Sequence, residues 1–103
     1  MSGILIKIGP DGRKELHEYG ARGTPKWEVL YGLVGGYIER VRVRYEGKLR
    51  DAYLNEEGLL KGLPINKYAH KLIQDAESNY AVQQYFVGPI VIWIPDKRVK
   101  KNV

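Results

Sequence analysis

The sequence predicts an α+β domain in which a mainly antiparallel sheet carries two helices on one face, in the order ββαββαβ. Three patterns predict this class: alternating residue character over residues 37–45, helical spacing of apolar residues before two glycines, and a β-branched run near residue 90. The chain has 103 residues, of which 44% are hydrophobic, so it can bury one core. We therefore expect a single domain over residues 1–95 and a basic tail over residues 96–103 that frays.

The first two strands are predicted to form a hairpin. Residues 4–8 read ILIKI, which is typical of a strand, and the GPDG sequence that follows is a strong turn signal. The run RKELHEY alternates weakly and is the predicted partner strand. Gly20 and Gly23 then end it.

The first helix is predicted to start at Thr24 and Pro25, because threonine is a good N-cap and proline is tolerated at the first helical position. One apolar stripe with the spacing i, i+3, i+4 and i+7 is expected to face the core: Trp27, Leu30, Tyr31 and Val34. The helix is predicted to end at Gly35 and Gly36. At least one of these glycines should have a positive φ, since glycine reaches the left-handed conformation without steric strain.

From residue 37 the period becomes two. One side of this strand is predicted to carry Tyr37, Glu39, Val41, Val43 and Tyr45, and the other side Ile38, Arg40, Arg42 and Arg44. The EGK sequence predicts a tight turn before a strand over residues 49–54. The run LPINKYAHKLI predicts a second, shorter helix, and YFVGPIVIWIP predicts a buried last strand with a bend at Gly88 and Pro89.

Composition excludes several classes of protein. The chain has no cysteine, so it has neither disulfides nor a thiol nucleophile. No apolar run approaches the roughly 20 residues of a membrane helix, and the start lacks a signal-peptide pattern. We therefore expect a cytoplasmic protein without a membrane partner. The net charge is +5, of which +3 lies in the last eight residues, so the body is only weakly basic.

Catalytic and metal motifs are not evident in the sequence. His17 and His70 fall outside any zinc or catalytic-triad pattern, and the glycines of GLVGG follow a helix, whereas phosphate-binding loops precede one. The NEEG turn has too few carboxylates at ligand spacing for a metal site. We therefore predict a protein that is not an enzyme and has no cofactor and no metal.

Four ordered motifs carry a resemblance to a known family: VGGYIE, NEEG, LPIN and the glycine-bearing strand VGPIVI. The three segments that contain them, LVGGYIERV, LNEEGLLKGLPINKYAHKLI and VGPIVI, resemble a family of small phage and mobile-element proteins catalogued as a domain of unknown function. The resemblance covers residues 25–94 and implies an α+β fold, a viral or mobile-element origin, and thus a location in the host cytoplasm. This sequence departs from the family at Pro89, where the family usually has a polar residue. The family carries no established activity, so the resemblance implies no catalytic residues.

Glu39 is the most unusual residue of the alternating strand, because it falls on the apolar side, where a carboxylate needs a partner. Either it hydrogen-bonds the second-helix segment, or it lines a pocket with Asn66 beside the corner at Gly35 and Gly36, the glycine corner, where exposed backbone N–H groups would meet an anion or a base edge. The predicted site for an anionic, nucleotide-type ligand comprises Gly35, Gly36, Tyr37, Glu39, Arg40, Arg42 and Asn66. Since Arg40 and Glu39 face opposite sides, we predict a homodimer with its interface near the arginines.

The arginine alternation has two interpretations. It is either a solvated sheet face whose charges discourage edge-to-edge aggregation, or a surface for phosphate, which the planar arginine fork binds through two oxygens. The residues predicted for nucleic-acid binding are Arg40, Arg42, Arg44, Lys48, Arg50, Lys97, Arg98, Lys100 and Lys101.

The sequence thus predicts a non-enzymatic viral or mobile-element accessory protein that acts by binding. Its partner is either an anionic small molecule of nucleotide type or a host protein that it blocks, which would serve counter-defence. The alternative is a sequence-indifferent nucleic-acid-binding protein that uses the arginines and the basic tail.

Overall fold

The computed structural model describes residues 3–20, 24–76 and 86–95, except for the side chain of Gln74. The elements follow the predicted order ββαββαβ. The predicted basic tail, with Lys97, Arg98, Lys100 and Lys101, lies outside the described residues. The elements are β1 (Gly3–Ile8), β2 (Lys14–Tyr19), α1 (Trp27–Val34), β3 (Ile38–Tyr45), β4 (Lys48–Asn55), α2 (Lys67–Ala76) and β5 (Ile90–Pro95).

The five strands form one sheet in the order β2-β1-β5-β4-β3, and every neighbouring pair is antiparallel. Two hairpins, β1–β2 and β3–β4, therefore lie on either side of β5, which joins them. Residues 90–94 of β5 are all buried, because the strand has neighbours on both edges and apolar layers on both faces. The hairpin turn at Glu46 and Gly47 has positive φ at both residues, as a two-residue turn between twisted strands requires.

The two helices pack on opposite faces of the sheet, so the prediction that both lie on one face is wrong. Ala69 and Ile73 of α2 join a buried cluster that includes alternate residues of β1 and β5, whereas Leu30 and Val34 of α1 join a second cluster. The runs ILIKI and IVIWI place apolar residues on both sides of their strands. Each side of the sheet therefore needs a covering layer, and one helix covers each. We call these two sides the α1 face and the α2 face.

The sheet curls around α2. The Lys14 ammonium nitrogen lies 5.7 Å from the centre of the Tyr45 ring, although these residues belong to β2 and β3, the two opposite edges of the sheet. In a flat sheet these edges would be about four strand spacings of 4.8 Å apart. The α2 face is therefore the inner side and the α1 face the outer side.

α1 begins later than predicted. Its N-cap position is Lys26, with extended backbone and no side-chain cap, so the prediction of Thr24 as the N-cap is wrong. The Lys26 N–H donates to the Tyr19 hydroxyl over 3.1 Å and Pro25 is buried, which holds the chain extended up to residue 26. Among the described residues no helix is long and apolar enough to cross a membrane.

The end of α1 confirms the predicted glycine conformation. Gly35 has a φ of 82°, while Gly36 is not among the positive-φ glycines. The N–H groups of both residues donate to the Tyr31 carbonyl, over 2.9 and 3.1 Å. This arrangement closes the last turn of the helix and directs the chain into β3.

Replacing Gly35 with alanine is expected to lower the free energy of unfolding by about 1 kcal/mol, through backbone strain at positive φ. A Cβ at Gly35 meets no atom within 4 Å, so a steric clash does not contribute. Gly32 is a matched control, because its Cβ space is equally open and it lies inside α1. Gly32→Ala is expected to stabilise by up to about 1 kcal/mol. Urea denaturation of both variants checks this, and a shift in the same direction for both would contradict it.

Candidate functional site

Three exposed aromatic side chains follow one another along α1 and the corner after it. Trp27, Tyr31 and Tyr37 are 59%, 40% and 61% exposed. The ring centroids lie 5.8 Å apart for Trp27 and Tyr31 and 5.6 Å apart for Tyr31 and Tyr37, with interplanar angles of 84° and 90°. We call these three residues the aromatic row.

The prediction that Trp27 and Tyr31 face the core is wrong. On a helix, the pairs Leu30/Val34 and Trp27/Tyr31 each have i, i+4 spacing and form two adjacent rows. α1 meets the sheet through Leu30 and Val34, which are both 2% exposed, and the other row remains on its flank. An eight-residue helix over a sheet can bury only part of such a wide stripe.

The arginines of β3 lie on the α1 face. Arg40 is directly opposite Tyr53 in the register, and residues directly opposite each other point to the same side of a sheet. Tyr53 packs in the same buried cluster as Leu30 and Val34 of α1. The predicted alternation is therefore confirmed for residues 38–45, and it places Arg40, Arg42 and Arg44 on the α1 face. The prediction that Tyr37 shares the side of Glu39 is wrong, because the Tyr37 ring contacts Tyr31 of α1. The α1 face thus carries both the arginines and the aromatic row.

The three arginines differ in what they contact. Arg44 donates from Nε to the Asp75 carbonyl at the end of α2, over 3.3 Å, so it turns around the sheet edge. Arg42 is paired with Asp51 over 3.8 Å, an exposed ion pair of the kind that contributes little to stability. Arg40 has no hydrogen bond or ion pair to any described residue. Arg40 and Arg42 are therefore the arginines available to a ligand.

Tyr53 lies beneath these charges. Burial raises the pKa of its hydroxyl, the Asp51 carboxylate raises it further, and the positive charge of Arg40 opposes both effects. The hydroxyl therefore stays protonated around neutral pH and contributes no negative charge to this face.

Lys48 and Arg50 do not extend the arginine surface. They pair with Tyr45 and Val43, whose side chains belong to the buried cluster on the α2 face, so both point away from Arg40 and Arg42. The predicted nucleic-acid set is thus divided between two faces. The physical reason is the hairpin register, which sets residues of the same side opposite each other.

The glycine corner offers no free N–H groups to an anion. Both N–H groups of Gly35 and Gly36 are used to end α1, so the predicted backbone anion site is wrong. A cation lies there instead: the Lys61 ammonium donates to the Gly35 carbonyl over 3.4 Å. The role of Lys61 is not apparent from the sequence, because this residue lies 26 positions from its partner and no local pattern marks it.

Asn66 has a structural role that leaves it no atom for a ligand. It is fully buried, and its Oδ1 accepts from the Ala69 N–H at the start of α2, over 3.0 Å. Its Nδ2 donates to the carbonyls of Ile8 and Gly88, over 3.0 and 2.8 Å. The predicted pairing of Asn66 with Glu39 in a pocket is therefore not formed.

Glu39 lies on the α2 face, in a cleft of about 100 Å³ that Asn55, Glu56 and Phe86 also line. No described residue hydrogen-bonds its carboxylate, so the predicted bond to the second-helix segment is not formed either. The volume is below the roughly 300 Å³ at which ligand pockets begin. With two carboxylates in its lining, the cleft also repels anions.

Comparison with known proteins identifies a family. A family model described as "Domain of unknown function (DUF3846)" matches residues 4–100. The search of curated proteins and the search of solved structures each return no match. The match agrees with the resemblance seen in residues 25–94, which pointed to a domain of unknown function. This chain belongs to the DUF3846 family.

Proposed function

We propose that the protein acts by binding rather than by catalysis, and that its α1 face binds nucleic acid without reading base identity through hydrogen bonds. The observation that carries the proposal is the placement of exposed aromatic rings and available arginines on one face. A role as a phage or mobile-element accessory protein in the host cytoplasm is supported by the VGGYIE, NEEG and LPIN motifs.

The two kinds of side chain perform different parts of the binding. Stacking of a base on an exposed ring contributes about 1–3 kcal/mol and tolerates any base, because every base has a π-face. Arg40 and Arg42 supply guanidinium groups for phosphate oxygens. Lys26, next to Trp27, and Lys61, at the corner before Tyr37, add positive charge at both ends of the aromatic row.

Capture of a small anionic nucleotide has less support. Of the residues predicted for that site, Tyr37, Arg40 and Arg42 belong to the α1 face, whereas Glu39 and Asn66 do not. A homodimer was expected to bring the two groups together. However, if the β3 strands of two subunits paired about a two-fold axis, the arginines of one subunit would lie directly opposite those of the other. Like charges directly opposite each other are destabilising.

Binding of a labelled oligonucleotide, measured by fluorescence anisotropy over a range of salt concentrations, tests the proposal. Affinity should fall steeply with salt, since each neutralised phosphate releases counterions. Arg40→Ala should reduce the slope of log K against log salt by about 0.7, the value for one phosphate on a single strand. Lys48→Ala is the matched control, because it removes the same charge from the α2 face and should leave the slope unchanged. Absence of binding at low salt would reject the proposal.

A further inference from the structure

The orientation of the rings in the aromatic row restricts which nucleic acid can use them. Trp27 and Tyr31 are nearly perpendicular, at 84°, and so are Tyr31 and Tyr37, at 90°. In a base stack, by contrast, successive bases are parallel and about 3.4 Å apart. The rings lie 5.6–5.8 Å apart, so two bases on neighbouring rings cannot remain stacked on each other.

We propose that the aromatic row selects single strands whose bases unstack easily, namely pyrimidine-rich runs, over purine runs and over duplexes. This inference rests on the proposed function and specifies its substrate class. A strand that occupies two rings must break the stacking between the two bases. Neighbouring purines stack most strongly on each other, so a purine run loses the most free energy when this stacking is broken. In a duplex, base pairing must be broken as well.

The exposure of the rings is consistent with this use. Each residue of the aromatic row is at least 40% exposed, so part of each side chain is open to solvent. In contrast, Trp93 is 6% exposed and packs edge-to-face against Tyr19 in the core. Since these are the only tryptophans of the chain, quenching of tryptophan fluorescence by an oligonucleotide reports on Trp27.

The test compares three labelled probes of equal length, about twelve nucleotides, which is within the range of single-strand binding sites. The probes are an oligothymidylate, an oligoadenylate and a blunt mixed-sequence duplex. We expect the oligothymidylate to bind on the order of tenfold more tightly than the oligoadenylate, with the duplex weakest, and to quench Trp27 fluorescence.

Two variants separate stacking from a general loss of affinity. Tyr31→Ala should bring the ratio of the affinities for oligothymidylate and oligoadenylate close to one. Tyr31→Phe keeps the ring and should therefore retain the wild-type ratio. Tyr68→Ala is the matched control, because Tyr68 is 50% exposed but lies on α2, on the opposite face.

The outcomes distinguish this inference from the function on which it rests. If the oligoadenylate or the duplex binds as well as the oligothymidylate, the nucleic-acid function stands and the selection of unstacked strands is wrong. If none of the three probes binds at low salt, the nucleic-acid function fails and the selection fails with it.

Discussion

Asn66→Ala is expected to lower the free energy of unfolding by about 3–4 kcal/mol, the largest stability loss that we predict for one substitution. The estimate combines about 1 kcal/mol for the lost cap of the Ala69 N–H with about 1–1.5 kcal/mol for each of the two lost hydrogen bonds to buried carbonyls. The groups concerned are the Ala69 N–H and the carbonyls of Ile8 and Gly88. The free energy of unfolding of a small domain is about 5–15 kcal/mol, so this substitution would remove much of the stability. Urea denaturation of the variant and the wild type measures the loss.

Two further substitutions divide this effect into its parts. Asn66→Ser can still accept from the Ala69 N–H, so it should recover about 1 kcal/mol relative to alanine, while both bonds from residue 66 to the carbonyls stay lost. Asn55→Ala is the matched control, because Asn55 is also a buried asparagine that bonds to a backbone carbonyl, that of Val34. Its loss should be smaller, since its second bond, to the Glu57 N–H, is only partly buried. Equal losses at the two asparagines would contradict the assigned role of Asn66.

Asn66 also shows why the sequence could not separate a structural polar residue from a binding residue. Its two carbonyl acceptors lie 58 and 22 residues away along the chain, and it connects α2 to β1 and to the segment before β5. The same sequence pattern results whether a buried asparagine hydrogen-bonds distant backbone groups or binds a ligand. Only the tertiary structure tells them apart.

The order of the elements was predictable because it depends on local signals. The alternation of β3, the turn at Glu46 and Gly47, and the glycine at the end of α1 are each specified within a few residues. The sequence does not assign the helices to the correct faces of the sheet, although apolar residues on both sides of β5, and of β1 except at Lys7, indicate burial on both sides. The central place of β5 depends on pairing between distant segments, which no local pattern reports.

The candidate site was predictable on β3 and not on α1. The alternation in β3 fixed the side of Arg40 and Arg42, because a strand has only two sides. On α1, two adjacent i, i+4 rows are both apolar, and the way the helix docks decides which one is buried. The exposed aromatic row therefore became visible only with the packing of Leu30 and Val34 against the sheet.

Loss of two rings of the aromatic row is expected to have the largest effect on binding. Replacing both Trp27 and Tyr31 with alanine should weaken oligothymidylate binding by about 1–3 kcal/mol for each base that loses its ring. The free energy of unfolding should change by only about 0.5 kcal/mol, because both side chains are exposed and alanine favours a helix. Fluorescence anisotropy measures the affinity, and urea denaturation checks the fold. Tyr68→Ala, which removes an exposed ring from α2, is the control.

The salt dependence of this double variant distinguishes stacking from a loss of charge contacts. Stacking releases no counterions, so the plot of log K against log salt should move downward at every salt concentration with its slope unchanged. Arg40→Ala should instead make that plot shallower, and the affinities of the wild type and this variant should converge at high salt. If the double variant changed the slope and kept its affinity at high salt, the rings would be serving only to position cations. The aromatic row would then have no direct contact with bases.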